Sequence, residues 1–172
     1  MLTFSYIDRE RLSEELPALF PILYANMSSI VPTEESYEAQ YAEWFENVRP
    51  ALEKPNRRMI VIRSDGELVG LFQYYVNETV FMMEEIQFVP RICGCGVFEA
   101  LFTYLSDVVP NNTPFVEAYA HKLNLKSQGI LLHLGLEPQG ADGSFIRFRG
   151  ELSRLFQTIR SSSAKIPEFT VI

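Results

Sequence analysis

The chain has 172 residues, 47% hydrophobic and 22% charged, which suits one soluble domain burying about two-thirds of its unfolded surface and leaves no room for a disordered or fibrous class. A formal net charge of −7 and a pI near 4.9 exclude a general nucleic-acid binder, which needs a basic face against phosphates, and fit a cationic or amine-bearing partner better. No signal-like segment follows Met1 and no apolar run reaches the roughly 18 residues of a membrane span, so a cytoplasmic protein is expected. Cys93 and Cys95 are the two cysteines; two positions apart, they neither staple the fold nor make a zinc set, and reduced thiols follow.

In chain order, Leu2 to Ile7 reads as a strand and Asp8 as a cap for a helix that Pro17 and Pro21 should kink or restart. Thr33-Glu34-Glu35 reads as the capped start of a second helix, with Tyr37, Tyr41, Trp44, Phe45 and Val48 along one side. That stripe has two readings, core packing on a sheet or the wall of an acceptor pocket, and core is the plainer. Met59 to Arg63 and Glu67 to Val76 are strands joined by an Asp65-Gly66 hairpin turn, and Thr79 to Val89 is a third neighbour.

Then comes a change of rule. Arg91-Ile92-Cys93-Gly94-Cys95-Gly96 is a glycine loop, and Val97 opens a helical run to about Val108. Glycines at a helix start leave backbone N–H groups free, and the helix end favours negative charge, so the loop reads as a phosphate cradle. Thr113 to Ala120 is a further strand, Asn124 to Leu134 a short helix closed by Gly135, Gln139 to Gly143 a turn and Phe145 to Phe148 a last strand. Residues 151–172 form an extension beyond a single domain of residues 1–150: Leu152, Leu155, Phe156 and Ile159 suggest one more helix, Ser161 to Ser163 a polar connector, and Ile166 to Ile172 an apolar tail that covers the protein's own sheet or a homodimer partner.

This order of elements, with Ile86-Gln87-Phe88-Val89-Pro90 before the glycine loop and Asn124, Ser127 and Gly135-Leu136 after it, resembles the GNAT superfamily of acyl-CoA-dependent N-acyltransferases over roughly Leu2 to Phe148. The resemblance implies an α+β fold, with a central, mostly antiparallel mixed sheet of about six to seven strands flanked by helices on both faces. It implies acetyl-CoA as cofactor and an N-acetyltransferase acting on a small-molecule amine or a protein amino group. Coenzyme A would lie against Arg91, Ile92, Cys93, Gly94, Cys95, Gly96 and Val97, with Asn124 and Ser127 nearby, and a backbone N–H at Phe88 or Val89, where the strand bulges, would polarise the thioester.

For the amine's proton a base is needed. Glu84 and Glu85 stand at adjacent strand positions and should project to opposite faces; the resemblance points to Glu84, and Glu117 is a second candidate on the next strand. The alternative for all three is solvation or structural pairing. His121 and His133 lack the partners that metal or nucleophilic catalysis requires, and Cys93 and Cys95 read as small packing residues rather than acyl acceptors. Two departures from the family pattern stand out. Pro90 abuts Arg91, tightening the loop entry, and the tyrosine that commonly protonates the leaving thiolate is Leu131. The second departure motivates a rival function, a non-catalytic acyl-CoA-binding module.

Overall fold

The computed structural model describes residues 1–162 and 165–172; Ser163, at the end of the serine run, lies outside the described residues. Strand β1 (Leu2–Tyr6) leads through a short 3-10 turn (Arg9–Arg11) into α1 (Leu12–Ser28), followed by α2 (Tyr37–Leu52), β2 (Arg57–Ser64), β3 (Glu67–Val76) and β4 (Val80–Phe88). A 3-10 turn (Pro90–Ile92) and the glycine loop enter α3 (Val97–Val108), and then come β5 (Phe115–His121), α4 (Leu125–His133), β6 (Glu137–Asp142), β7 (Phe145–Glu151), α5 (Leu152–Arg160) and β8 (Phe169–Val171). No helix among the described residues is long and apolar enough to cross a membrane.

The strands form one sheet in the order β6-β7-β5-β4-β3-β2-β1-β8. Only β4·β5 and β1·β8 are parallel; the other neighbours are antiparallel. The expected mixed α+β architecture is therefore present, with eight strands among the described residues rather than six or seven. The additions have local causes. Most of the stretch expected as a turn at Gln139 to Gly143 pairs with β7 as part of β6, with Gln139 as the extra residue in a register shift between Pro138 and Gly140, and the apolar tail becomes β8. Phe169 reaches Phe4 at 5.2 Å between ring centroids, so the tail caps the β1 edge of its own chain.

Each sheet face has its own helices. Leu2, Phe4, Ile60, Ile62, Phe72 and Phe81 pack with Ala100, Leu101, Phe102 and Leu105 of α3 and with Leu152, Leu155, Phe156 and Ile159 of α5. On the opposite face Met59, Val61 and Leu71 pack with Leu12, Leu16 and Leu19 of α1 and Val48 and Leu52 of α2. Burial of this kind is worth about 1.5–3 kcal/mol per large side chain, which explains why α1 runs unbroken through Pro17 and Pro21. The missing N–H donors weaken two turns without stopping a helix that the core holds in place.

Helix α2 starts three residues later than expected. Ser36 caps it, accepting from Ala39 N at 3.2 Å, whereas Thr33 closes a local turn onto Glu35 N. Its aromatic stripe is packing: Tyr37, Tyr41 and Trp44 each lie 5.1–5.3 Å from Phe20 of α1. The Asp65-Gly66 hairpin has positive φ at both residues, as the turn chemistry requires.

Candidate active site

The glycine loop is built from the backbone. Ile92, Cys93 and Cys95 donate their N–H groups back to Val89, Pro90 and Ile92 carbonyls at 3.1–3.2 Å, which winds the chain tightly from Pro90 onward. Gly94 (φ 82°) and Gly96 (φ 77°) are left-handed, and Gly96 is the N-cap of α3 with no side-chain cap. The first bond of that helix end is Ala100 N to Gly96 O. Among the described residues the N–H groups of Gly94, Gly96, Val97, Phe98 and Glu99 therefore have no acceptor, the arrangement that binds an anion. The two glycines differ in their surroundings. A Cβ on Gly94 would meet nothing within 4 Å, whereas one on Gly96 would stand 2.3 Å from the Lys165 carbonyl and 3.0 Å from Pro167. Arg91, at the mouth of the loop, pairs with Glu67 at 2.5 Å in the open. Cys93 and Cys95 are free and exposed.

Just before the loop the sheet opens. The β4·β5 ladder runs from Val80↔Phe115 to Met83↔Ala118 and ends there, so Glu85 to Phe88 pair with β3 alone. Val89 N–H is committed to Val69 O at 2.9 Å. Successive N–H groups of a strand alternate in direction, so Phe88 N–H faces the gap that β5 leaves. Of the two alternatives, Phe88 or Val89, the amide of Phe88 is therefore the one without an acceptor among the described residues. The bulge lies earlier than expected as well, at Glu84, where Gln73 pairs with Glu85 and Tyr74 with Met83.

That bulge corrects the expectation for the paired glutamates. One extra residue in β4 puts two successive side chains on the same side. Glu84 meets Arg57 at 2.8 Å and Gln73 at 3.0 Å, and Glu85 accepts from Gln87 Nε2 at 2.7 Å; both lie on the α1/α2 face. Asn26, near the C-terminal end of α1, completes the arrangement by donating to Gln87 Oε1 at 2.8 Å and to Phe88 O at 2.9 Å. Among the described residues no cation pairs with Glu85, and burial pushes its carboxyl up to about 7, against the pull of the Gln87 and Ile86 N–H donors.

Glu117 shares the face, since it pairs in register with Met82. Its side chain is 5% exposed and clamped: Arg147 donates twice, at 2.6 and 3.0 Å, and Arg149 stands at 3.4 Å. The pairing raises the pKa of Arg147. Tyr119, two residues on, is 43% exposed. Among the described residues, the helices of this face, α1 and α2, pack over β2 to β4 rather than over β5 and β7.

Of the residues singled out in the sequence, Phe88, Val89, Arg91, Ile92, Cys93, Gly94, Cys95, Gly96 and Val97 form one continuous junction. Glu84 and Glu117 sit on one face beside it. Asn124 caps α4, accepting from Ser127 N at 3.0 Å, so these two residues fix the helix that follows β5. Leu131 is buried at 7% in the core. Asn26, Arg57, Gln87, Arg147 and Arg149 escaped sequence reasoning. The alternation Arg147-Phe148-Arg149, in a strand with Phe148 buried, is the one signal that places two arginines together on the outer face.

No family model matches the sequence, and no curated protein matches it. Solved structures do. The PaiA N-acetyltransferase of Thermoplasma acidophilum in complex with coenzyme A superposes with a TM-score of 0.71 at 12% identity, over 88% of this chain and 99% of that one. A Desulfovibrio desulfuricans protein described as a GNAT-family acetyltransferase gives 0.63 at 14% over 88% and 99%. The spermidine N-acetyltransferase SpeG of Vibrio cholerae, as an N152L mutant, gives 0.59 at 19% over 94% and 98%. With near-complete coverage on both sides and the parted β4·β5 ladder ahead of the glycine loop, this chain has the fold of the GNAT N-acetyltransferases.

Proposed function

We propose that the protein is an acetyl-CoA-dependent N-acetyltransferase that acts on a primary amine by direct attack, and that Glu85 is its base. The observation that carries the proposal is the parting of β4 from β5 immediately ahead of a row of acceptorless amides. The free N–H groups of Gly94, Gly96, Val97, Phe98 and Glu99 fit a pyrophosphate, and Arg91 adds a cation beside them. Acetyl-CoA supplies the activated acetyl thioester. The chain's own residues do the rest. Phe88 N–H, turned to the gap, is the donor for the carbonyl oxygen as negative charge gathers there. Glu85 takes a proton from the ammonium, directly or through one water, so that the neutral nitrogen forms the amide bond as the C–S bond breaks.

Glu84 was the favoured base in the sequence, but its oxygens are held by Arg57 and Gln73, and those of Glu117 by Arg147. Both then serve to fix charge and shape. Leu131 supplies no proton, and a thiolate with a conjugate acid near pKa ~8.5 is a tolerable leaving group without one. Tyr119 is the exposed hydroxyl on the β5 side of the gap and is the candidate donor. A cytoplasmic location suits the two free thiols.

Leu131 favours a second reading, a module that binds acyl-CoA without turning it over. Coenzyme release from acetyl-CoA across a panel of amines, amino acids and peptides decides between them. The transferase reading expects amine-dependent release; calorimetric binding of coenzyme A with no release from any amine would replace it with the binding module.

A further inference from the structure

Gly94 and Gly96 share a left-handed backbone, but Gly94 is exposed and Gly96 is buried. The position a side chain would take at Gly96 is filled by the Lys165 carbonyl and, at 3.0 Å, by the Pro167 ring. After α5 the chain therefore returns to the N-cap of α3 before it joins the sheet edge. There Leu2 N–H donates to Glu168 O at 3.3 Å and Ile172 N–H to Phe4 O at 3.0 Å, and the Phe169 ring lies 5.2 Å from that of Phe4. The tail is thus a strap held at the glycine loop and at β1. Its Lys165 carbonyl stands beside the loop without taking any of the free N–H groups of Gly94, Gly96, Val97, Phe98 and Glu99, which have no acceptor among the described residues. A tail that blocked the cradle would satisfy those donors with its own carbonyls. One that packs on Gly96 and leaves them open holds them in place for a ligand.

Resting on the coenzyme A cradle read above, we propose that residues 165–171 position the cofactor site, so that docking of β8 on β1 and binding of coenzyme A strengthen each other. The physical link is Gly96. Its left-handed turn sets the direction in which α3 begins, and with it where the N–H groups of Val97, Phe98 and Glu99 point. No side-chain cap holds that turn; the backbone of the strap does so by packing on it. With the strap docked, the amides are pre-set and the cofactor meets them without the cost of ordering the loop. With it undocked, Gly96 regains the broad φ range of a glycine, and part of the binding free energy goes into fixing it again. Linkage makes the effect reciprocal: the factor that docking gives to coenzyme A affinity is the factor that bound coenzyme A gives to docking. Because the strap touches the pyrophosphate end of the cradle, an acetyl donor without phosphates should not respond to it.

Hydrogen exchange on the full chain tests the coupling without any substitution. Saturating coenzyme A should slow the amides of Leu2 and Ile172, the two that tie the strap to β1, by about tenfold. In calorimetry, deletion of residues 165–172 should weaken coenzyme A binding by about the same factor. Phe169→Ala, which keeps the strap's length but loses the contact with Phe4, should weaken it less. In amine acetylation the deletion should lower kcat/KM for acetyl-CoA about tenfold, through KM, and leave that for S-acetylpantetheine, which has no pyrophosphate, within about twofold. Damage to the fold would lower both. Leu2 and Ile172 exchange that ignores coenzyme A would overturn the proposal. So would a shortened chain that binds coenzyme A as tightly as the parent or more tightly, or that loses both acetyl donors alike. Tail-dependent coenzyme A binding with no amine-dependent release would overturn the transferase reading and leave the strap standing.

Discussion

The two sides of the β4 junction are built by different means. The cradle side is backbone: free amides, two left-handed glycines and a helix end. The side proposed to receive the acceptor consists of side chains whose directions depend on one inserted residue in β4 and on which strand lies next to it. A backbone site tolerates most side-chain changes and few glycine changes, whereas the acceptor face is the reverse. On the proposed acetyl-transfer reading, cofactor binding and acceptor choice should therefore respond to different substitutions.

The largest effect is expected at Gly96. A valine there must adopt φ near 77° and press its Cβ onto the Lys165 carbonyl. Left-handed backbone costs a non-glycine residue about 1–2 kcal/mol, and the clash adds to it. Calorimetry should show coenzyme A affinity down by about a hundredfold, and limited proteolysis should cut the released C-terminal tail. Gly94→Ala carries the conformational cost alone and should lose less, with the tail still protected.

Asn124→Ala removes the cap of α4 at 3.0 Å and should cost about 1 kcal/mol of stability in denaturant unfolding, with a weaker effect on cofactor affinity than either glycine change. If it abolished coenzyme A binding instead, Asn124 would be a ligand as well as a cap. Glu85→Gln should alter the pH dependence of stability. In the folded protein Glu85 titrates at about 7 against about 4.3 when exposed, so the folded state holds the extra proton. Its contribution to stability is fullest below about pH 4 and declines as pH rises through about 7. The variant lacks that decline, and its Tm relative to the parent should rise between about pH 4 and pH 7 and level off above. The smallest effect belongs to Glu67→Gln. The exposed Arg91–Glu67 pair contributes about 0–1 kcal/mol, so stability should barely move, while Arg91, freed of its partner, should bind coenzyme A slightly more tightly and with a steeper salt dependence.

The same division governs what could be read from the sequence. The Asp65-Gly66 hairpin, the glycine loop and the amphipathic α5 were legible because turn chemistry and helical period are local properties. The acceptor face was not. Alternation along β4 sends Glu84 and Glu85 to opposite faces, and only the pairing of Gln73 with Glu85 and Tyr74 with Met83 reverses that, a register fixed by the neighbouring strand. Likewise Glu117 reads as a free carboxylate until β7 brings Arg147 and Arg149 beside it. The parallel pairing of Phe169 to Val171 with β1 joins the two ends of the chain, and no local pattern in the tail distinguishes it from pairing with a second molecule.

The proposed assignment is Glu85, without a cationic partner among the described residues and raised toward neutrality, as the base, and not the arginine-bound Glu84. It is tested most directly by the pH dependence of kcat/KM for amine acetylation in the parent, Glu85→Gln and Glu84→Gln proteins. The account predicts a parent profile that climbs with an apparent pKa of about 7, a Glu85→Gln protein about a hundredfold or more slower that lacks this limb, and a Glu84→Gln protein that keeps it. A Glu85→Gln protein with the parent's rate and profile, beside a Glu84→Gln protein without the limb, would contradict it.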